Sequence, residues 1–383
     1  MNTSYCIKGA TAVSGDKLIE DAVIVVKDGI ITSIGPRLTN SEVECEHIDG
    51  TGMIAGPAFI DMHLHGAGGF DPGEPGISKQ ETSERLVALN GYLKEKGIAT
   101  WALATVFDME TINHVGSVLK ENNTLQDHLA GLYVEGPFVH PDKRGGIPLK
   151  TIHAFSETLL QSILTGGPVI RLMTIAPELP GIERAVKLLE KHHVTVCWGH
   201  STVKLDQIGV FKHAHLTHLF NAMDGFDHKQ PGLAMLPFLN TAADVTFEII
   251  ADSIHVHPSM LEFVCTHPKS LHHACLISDA VGLAGVGPTT GFYRGEEIFS
   301  DGVAARYVHG NVLVGSATLI TDSIRMLYAQ GMVDYRMAFR MASTNPAKVL
   351  GYSNRGSLTV GNRADIVLCD QTLKVRKVLM HTD

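Results

Sequence analysis

The sequence predicts the α/β class, with a (β/α)8 TIM-type barrel and a small β-sandwich domain built from both chain ends. Two patterns lead to this prediction. Eight short apolar runs alternate with helical patterns through the middle of the chain, and short β-strand patterns occupy its two ends. We therefore expect residues 1–55 and 354–383 to form the small domain and residues 56–353 to form the barrel, sizes that suit a chain of 383 residues.

The two ends of the chain carry the patterns of short strands. Residues 23–26 and 30–34 are apolar and β-branched, and Asp28-Gly29 between them predicts the tight turn of a β-hairpin. Residues 364–369 and 375–380 repeat a short-strand pattern near the other end. Each end alone offers too few strands to bury a core, so we expect both ends to pair in one domain.

The middle of the chain contains eight apolar runs, each of a length typical of a buried strand. Helical patterns separate them, for example at residues 84–94 before the second run and 181–191 before the fifth. A doubly wound open sheet is the alternative, but Gly66-Ala67-Gly68-Gly69 after the first run lacks the spacing of a dinucleotide-binding loop. The eight runs are residues 58–64, 100–106, 131–134, 169–175, 194–198, 216–220, 245–250 and 274–278.

Composition argues against several classes of protein. The chain has 31 Lys+Arg against 40 Asp+Glu, and its net charge of −9 disfavours nucleic-acid binding. No apolar run approaches the roughly 18 residues that span a membrane, and no secretion signal opens the sequence, so we expect a cytoplasmic protein. Six scattered cysteines suit reduced thiols. Histidine occurs 21 times, and imidazole is the commonest metal-binding side chain.

Polar side chains stand where several apolar runs end, which in a barrel is the catalytic face. His63 and His65 alternate on the first run and therefore project the same way. Glu135 ends the third run, where a buried carboxylate needs a charged partner or a metal. His200 ends the fifth run and His218 lies in the sixth. An exposed histidine pair, a salt bridge or a core histidine would explain each residue singly, whereas the whole set predicts a metal site.

One more carboxylate faces the same mouth of the predicted barrel. Asp279 ends the eighth run and could carry a proton to and from a water activated by the metal. The candidate ligands are nitrogen and oxygen donors without thiolate, which suits Zn²⁺, Fe²⁺ or Mn²⁺.

Short motifs mark the ends of these runs. They are Pro57-Ala58-Phe59-Ile60-Asp61-Met62-His63-Leu64-His65-Gly66, Glu135-Gly136-Pro137-Phe138, Gly199-His200-Ser201, His218-Leu219-Phe220-Asn221-Ala222-Met223, Ala251-Asp252-Ser253-Ile254-His255-Val256, Ser278-Asp279-Ala280 and Leu313-Val314-Gly315-Ser316. Together they resemble the N-acetylglucosamine-6-phosphate deacetylases of the amidohydrolase superfamily, and the resemblance extends over essentially the whole chain.

The resemblance implies a metal-dependent hydrolase that removes acetyl from an amino-sugar phosphate, giving glucosamine-6-phosphate and acetate from N-acetylglucosamine-6-phosphate. It implies Asp279 as the general acid/base and one or two divalent ions per subunit, zinc or iron. Some relatives keep histidines at the positions of His63 and His65, and these can hold a second metal. The implied metal ligands are Glu135, His200 and His218, with His63 and His65 for the second ion and Glu135 bridging.

The resemblance also implies residues that bind the substrate. His255 matches a residue that polarises the acetyl carbonyl or orients the sugar, and Asn221 and Ala222 match positions that hold phosphate. Lys229 stands where the family usually has an arginine, which in relatives reaches the phosphate from the neighbouring subunit of a homodimer. Ile147 stands where the family usually has a histidine that contacts substrate.

These two departures leave the substrate open. The same chemistry on another N-acetyl hexosamine phosphate, such as N-acetylgalactosamine-6-phosphate, or on an N-acyl amino acid, is the alternative. A non-catalytic scaffold is the alternative from another class, but such a relative would have lost ligands or the acid/base, and here all of them remain. We expect a small-molecule substrate and neither a nucleic-acid nor a membrane partner.

Overall fold

The computed structural model describes residues 4–36, 46–165, 169–208, 214–239 and 245–382. Its chain divides into two compact units. The domain boundaries predicted at 55/56 and 353/354 stay a prediction. One unit comprises Met1–Ile60, Leu93–Thr100 and Ile320–Asp383, and the other comprises Asp61–Tyr92 and Trp101–Leu319.

Strands dominate both ends of the chain, and strands and helices alternate through much of its middle. The strands of the described ranges are β1 (Tyr5–Ser14), β2 (Lys17–Lys27), β3 (Ile30–Pro36), β4 (Glu46–Asp49), β5 (Ile54–Pro57), β6 (Phe59–Leu64), β7 (Ile98–Val106), β8 (Leu129–Glu135), β9 (Ile170–Ile175), β10 (Thr195–Trp198), β11 (His215–Leu216), β12 (Thr246–Ile250), β13 (Ala274–Ile277), β14 (Thr289–Tyr293), β15 (Glu296–Ser300), β16 (Ala304–Tyr307), β17 (Leu313–Ser316), β18 (Ile366–Cys369) and β19 (Val375–Leu379). The helices of the same ranges are α1 (Lys79–Glu95), α2 (Met109–Glu121), α3 (Asn123–His128), α4 (Glu157–Thr165), α5 (Ile182–Lys191), α6 (Pro258–Cys265), α7 (Pro268–Leu271), α8 (Ile320–Ala329), α9 (Tyr335–Phe339) and α10 (Asn345–Val349).

Strands β6 to β13 form the predicted barrel sheet and pair in the order of the chain. The pairings from β7 to β13 are parallel, as strands joined by crossover connections require. Each strand overlaps one of the eight predicted runs, so the barrel architecture is confirmed. The sixth strand is shorter than predicted, because the chain turns after Leu216 through His218 and Phe220, both with positive φ.

The first and last barrel strands meet at their carboxyl ends. The backbone N–H of Asp279 donates to the carbonyl of His63 at 2.9 Å, and that of His65 donates to the carbonyl of Ala280 at 2.7 Å. The Ser278 hydroxyl donates to the buried carboxylate of Asp61 at 2.5 Å. Burial raises the pKa of Asp61 to about 7, even though this hydrogen bond opposes the shift. These bonds place the residues that follow β6 and β13 next to one another.

Both chain ends contribute to one seven-stranded sheet with the order β19-β18-β5-β1-β2-β3, in which β4 also pairs with β1. The predicted hairpin joins β2 and β3, and its turn residues Asp28 and Gly29 both have positive φ, as a two-residue turn of this type requires. Ile7 and Ile24 from one end pack in the same buried cluster as Ile366 from the other. The expectation that the ends form one β-rich domain is confirmed.

A four-stranded antiparallel sheet, β14-β15-β16-β17, follows the barrel's last strand and was not predicted. Its strands are short and half exposed, so the sequence offers a weak alternating pattern there. Tyr293, Ile298 and Ala305 bury one face of this sheet against Val281. The sheet thereby brings residues from positions 289–316 to the barrel mouth.

The remaining expectations concern thiols and membranes. None of the described helices is both long and apolar enough to cross a lipid bilayer. Cys45 lies outside the described residues. No disulfide forms among the described cysteines, which are Cys6, Cys197, Cys265, Cys275 and Cys369.

Candidate active site

Five barrel strands bring six predicted residues together at the carboxyl end of the barrel. All six side chains are buried, although each is polar. They form two groups whose donor atoms lie within 4.8 Å of one another, so each group could hold a metal ion. The first group is Glu135 at the end of β8, His200 after β10 and His218 after β11. The second is His63 in β6, His65 directly after β6 and Asp279 after β13.

Three of these residues have a strained backbone. His200, His218 and Asp279 have φ of 47°, 23° and 50°, in the left-handed region that side chains other than glycine seldom adopt. Such strain costs about 1–3 kcal/mol per residue and persists where surrounding contacts over-determine the conformation. The turn after each strand directs the side chain into the barrel mouth. Backbone strain at three converging positions is typical of a functional site.

The first group converges on one carboxylate oxygen. Oε1 of Glu135 lies 3.4 Å from Nε2 of His200 and 3.3 Å from Nε2 of His218, and the two Nε2 atoms are 3.0 Å apart. Nδ1 of His200 lies 2.8 Å from the carbonyl oxygen of Lys143 and donates its proton there. With its proton on Nδ1, the neutral form of the ring has its lone pair on Nε2, which faces the group and is the form that a metal ion requires.

The second group shares Glu135 with the first. Nε2 of His63 lies 3.5 Å from Oδ1 of Asp279 and 3.6 Å from Oε1 of Glu135. Nε2 of His65 lies 3.4 Å from a carboxylate oxygen of each acid. The buried Nε2 of His63 has no hydrogen-bond partner among the described residues, as expected for an atom placed to coordinate a cation.

The electrostatics of the site favour positive charge. Burial by itself would lower the pKa of His63, but the carboxylates of Glu248 and Asp279 raise it to about 10. Burial likewise opposes protonation of His65, yet the hydrogen bonds that its ring donates to Asp279 and Glu135 raise its pKa to about 9. Burial would raise the pKa of Glu135, but the surrounding imidazoles hold it well below its usual range. A divalent cation fits this negative potential and this nitrogen and oxygen donor set.

A cavity of about 210 Å³ opens beside both groups. The predicted substrate residues Asn221, Ala222 and His255 line it, as does Ile147, which is itself buried. Lys229 is exposed and is not among the residues that line the cavity. The structure therefore brings together all the predicted site residues except Lys229.

The His255 ring is held by a neighbouring acid. Its Nδ1 lies 2.6 Å from Oδ2 of Asp252. The carboxylate of Asp252 is mostly buried and also accepts a hydrogen bond from the backbone N–H of His255. Burial would raise the pKa of Asp252, but the hydrogen bond from His255 lowers it. The ionised carboxylate accepts a hydrogen bond from the Nδ1–H group and thereby holds the ring at the cavity wall.

Sequence reasoning missed two residues that contact the site. Tyr293, from the unpredicted sheet, lies in the cavity wall with its Oη 3.3 Å from Nδ1 of His65. Glu248, in the middle of β12, lies 2.9 Å from Nδ1 of His63. An acidic residue inside the seventh apolar run was a usable signal for Glu248, because a charge is costly in a buried strand. No comparable pattern marked Tyr293.

The chain is similar to known amidohydrolases over most of its length. The amidohydrolase family model matches residues 54–381. An N-acetylglucosamine-6-phosphate deacetylase from Danio rerio is 31% identical over 352 residues, covering 88% of this chain and 84% of that protein. An N-acetylgalactosamine-6-phosphate deacetylase from Escherichia coli O157:H7 is 27% identical over 387 residues, covering 98% and 97%.

A solved structure is similar in fold. It is an N-acetyl-D-glucosamine-6-phosphate deacetylase mutant from Mycobacterium smegmatis in complex with N-acetyl-D-glucosamine-6-phosphate. It superposes on this chain with a TM-score of 0.87 at 23% identity, covering 99% of this chain and 98% of the other.

The two groups of candidate ligands should differ in how strongly they retain metal. Glu135→Gln removes the carboxylate that both groups share, so we expect the purified variant to lose nearly all bound metal. His63→Asn removes one imidazole from the second group alone and should cost less. Elemental analysis of both variants measures this, with His114→Asn on α2 as the control that keeps the wild-type metal content. Greater metal loss in His63→Asn than in Glu135→Gln would contradict the assignment.

Proposed function

Because this chain belongs to the amidohydrolase family, we propose that it hydrolyses the N-acetyl amide of an amino-sugar phosphate, with N-acetylglucosamine-6-phosphate as the first candidate. The proposal rests chiefly on one observation, the convergence of the two metal-capable groups beside a cavity of small-molecule size. The Danio rerio relative bears the name of this activity, which supports the choice of substrate.

Metal binding is assigned to the two groups of the barrel mouth. Glu135, His200 and His218 would hold one divalent ion, and His63 with His65 would hold a second, with Glu135 between them. A divalent ion such as zinc or iron, when bound, supplies Lewis-acid activation of a water and of the acetyl carbonyl.

Asp279 is the proton carrier of the proposed reaction. Its carboxylate accepts a proton from the attacking water, which adds to the acetyl carbon. The same group then delivers the proton to the amide nitrogen as the carbon–nitrogen bond breaks, because an amine cannot leave as an anion at neutral pH. The products are acetate and the free amino sugar phosphate. The contacts of Asp279 with His63 and His65, at 3.5 and 3.4 Å, support this role.

His255 orients the substrate in this proposal. In its neutral form the His255 ring donates a hydrogen bond from Nδ1 to Asp252, and its Nε2 accepts a hydrogen bond from a sugar hydroxyl. The doubly protonated ring instead donates to the acetyl carbonyl and polarises it. Either contact depends on Asp252, which keeps the ring from rotating.

Phosphate recognition is assigned to Asn221 and Ala222 at the cavity wall. Lys229 is exposed on its own protomer, so we place it at the phosphate of a neighbouring subunit in a cytoplasmic homodimer. A lysine supplies a point charge without the two parallel hydrogen bonds of an arginine. Lys229 therefore attracts the phosphate by its charge but does not fix the orientation of the phosphate.

N-acetylgalactosamine-6-phosphate is the second candidate substrate. Ile147 supports it, because this buried side chain lines the cavity without any polar atom to contact a sugar hydroxyl. A wall without a hydrogen-bonding group discriminates weakly between sugars that differ in the orientation of one hydroxyl. The Escherichia coli relative named for this substrate is consistent with it.

A deacetylation screen tests the proposal. We expect acetate release from N-acetylglucosamine-6-phosphate at least tenfold faster than from unphosphorylated N-acetylglucosamine, since a charge-assisted contact to phosphate contributes about 1.5–3 kcal/mol. N-acetylgalactosamine-6-phosphate and an N-acetyl amino acid complete the panel. The zinc- or iron-loaded protein releasing no acetate from any of them would contradict an enzymatic role.

Asp279→Asn should separate proton transfer from metal binding. The amide keeps the shape of the carboxylate but cannot carry a proton, and positioned proton transfer supplies about 10²–10⁴-fold in rate. We expect kcat to fall by at least about 10²-fold while the metal content of the first group and the Tm stay near wild type. Retention of most of kcat, or loss of the metal together with activity, would assign Asp279 another role.

Lys229→Ala should raise KM for a phosphorylated substrate with little change in kcat, because the lost contact is present in ground state and transition state alike. Lys187→Ala, an exposed lysine on α5, is the control and should leave KM unchanged. If Lys229 acts across subunits, mixing Lys229→Ala with Asp279→Asn chains should restore part of the activity. An equal KM change for unphosphorylated substrate would remove Lys229 from the phosphate site.

A further inference from the structure

Glu248 is a fully buried carboxylate in the wall of the barrel, outside both groups of candidate ligands. Its side chain is 0% exposed, and it accepts hydrogen bonds from groups on two other strands or the turns after them. The partners are Nδ1 of His63 at 2.9 Å, the backbone N–H of His218 at 3.0 Å, Oγ1 of Thr217 at 3.1 Å and Nε2 of His215 at 3.3 Å.

The first of these contacts selects the tautomer of His63. Because a carboxylate oxygen accepts hydrogen bonds, the 2.9 Å contact with Oε2 favours a proton on Nδ1 of His63. In the neutral ring that a metal ion requires, a proton on Nδ1 leaves the lone pair on Nε2, the atom that faces Glu135 and Asp279 and has no hydrogen-bond partner among the described residues. The orientation of a ligand ring is set in this way by the hydrogen bond at its other nitrogen.

The second contact of Glu248 is with the backbone of His218 rather than with a side chain. The N–H of His218 donates to the same oxygen, Oε2, that accepts from His63. His218 has a φ of 23°, a conformation that needs external support. One oxygen atom thus contacts the side chain of a residue in the second group and the main chain of a residue in the first.

We propose that Glu248 is a positioning residue that aligns both groups of metal ligands at once through Oε2. This inference rests on the proposed metal-dependent function. The simpler alternative is that Glu248 only balances the positive charge of nearby histidines. A positioning role depends on where the acceptor oxygen lies, whereas charge balance depends only on the negative charge of Glu248.

Two conservative variants separate these roles. Glu248→Gln keeps an oxygen at the position of Oε2 and loses the charge, and its amide group can donate to His215, whose Nδ1 contacts the Thr246 hydroxyl. Glu248→Asp keeps the charge but withdraws the oxygens by one methylene from His63 and His218. Positioning and charge balance therefore predict opposite orders of damage.

The measurement is the Kd for zinc of chelator-stripped full-length protein, determined by competition with a chromophoric chelator. We expect Glu248→Asp to bind zinc about 10–100-fold more weakly than wild type, the usual cost of losing a partner behind a metal ligand. Glu248→Gln should stay within about threefold. The absorption spectrum of the cobalt-loaded protein should change in Glu248→Asp and match wild type in Glu248→Gln. Asp365→Asn, which alters a buried carboxylate at the start of β18, is the control and should lower the Tm without changing the Kd.

Each outcome decides the inference. Equal zinc affinity in all three proteins, or weaker binding by Glu248→Gln than by Glu248→Asp, would overturn it. Acetate release by the wild-type protein in the same preparation tests the proposed function separately. Wild-type protein that binds zinc and shows the expected order without releasing acetate would leave the positioning role in place and overturn the proposed function. Wild-type protein that binds no zinc would overturn both.

Discussion

Burying the carboxylate of Glu135 costs several kcal/mol unless positive charge meets it, and the organisation of the barrel mouth follows from that constraint. Imidazole nitrogens from β6 and from the turns after β10 and β11 approach this carboxylate within 3.6 Å. Asp279 adds a second acid, whose carboxylate lies within 3.5 Å of the same Nε2 atoms of His63 and His65. These buried ionisable groups stabilise one another by pairing, and the same cluster could hold a cation.

Contacts behind the ligands maintain this arrangement. The carbonyl of Lys143 holds His200, and the ammonium of Lys143 joins that of Lys204 on Asp224, each at 2.5 Å. Burial would raise the pKa of Asp224, but the two lysines lower it. The loops after β8, β10 and β11 are thereby tied to one another around the cavity. The hydroxyl of Tyr307 also donates to the carbonyl of Gly146 at 3.3 Å, so the four-stranded sheet supports the loop after β8.

In the proposed reaction, catalysis and substrate selection fall to different parts of this mouth. The polar residues at the strand ends are the ones to which the proposal assigns metal binding and proton transfer, and they are held by the barrel's hydrogen bonds. The cavity wall is built from loops and from the sheet that follows β13, and it includes the apolar side chains of Ile147, Leu313 and Val314. Loop positions accept substitution more readily than strand ends, because few backbone bonds depend on them. Specificity can therefore change while the chemistry stays constant.

Much of the fold could be predicted from the sequence, because apolar periodicity reports which segments are buried. The eight runs predicted the barrel strands, the Asp28-Gly29 turn predicted the first hairpin, and polar residues at run ends predicted the six side chains of the mouth. These are local signals, each readable within a few residues. The resemblance of the motifs then narrowed the chemistry to an amide hydrolase.

Tertiary structure decided what depends on partners distant in the chain. The pairing of Glu248 with His63 joins residues 185 positions apart and exists only because the barrel brings β12 and β6 around one centre. Tyr293 reaches His65 across 228 positions through a sheet whose alternation was too weak to recognise. The exposure of Lys229 is likewise set by the path of its loop. Periodicity specifies that a side chain is buried, whereas only the closed fold specifies which atom it meets.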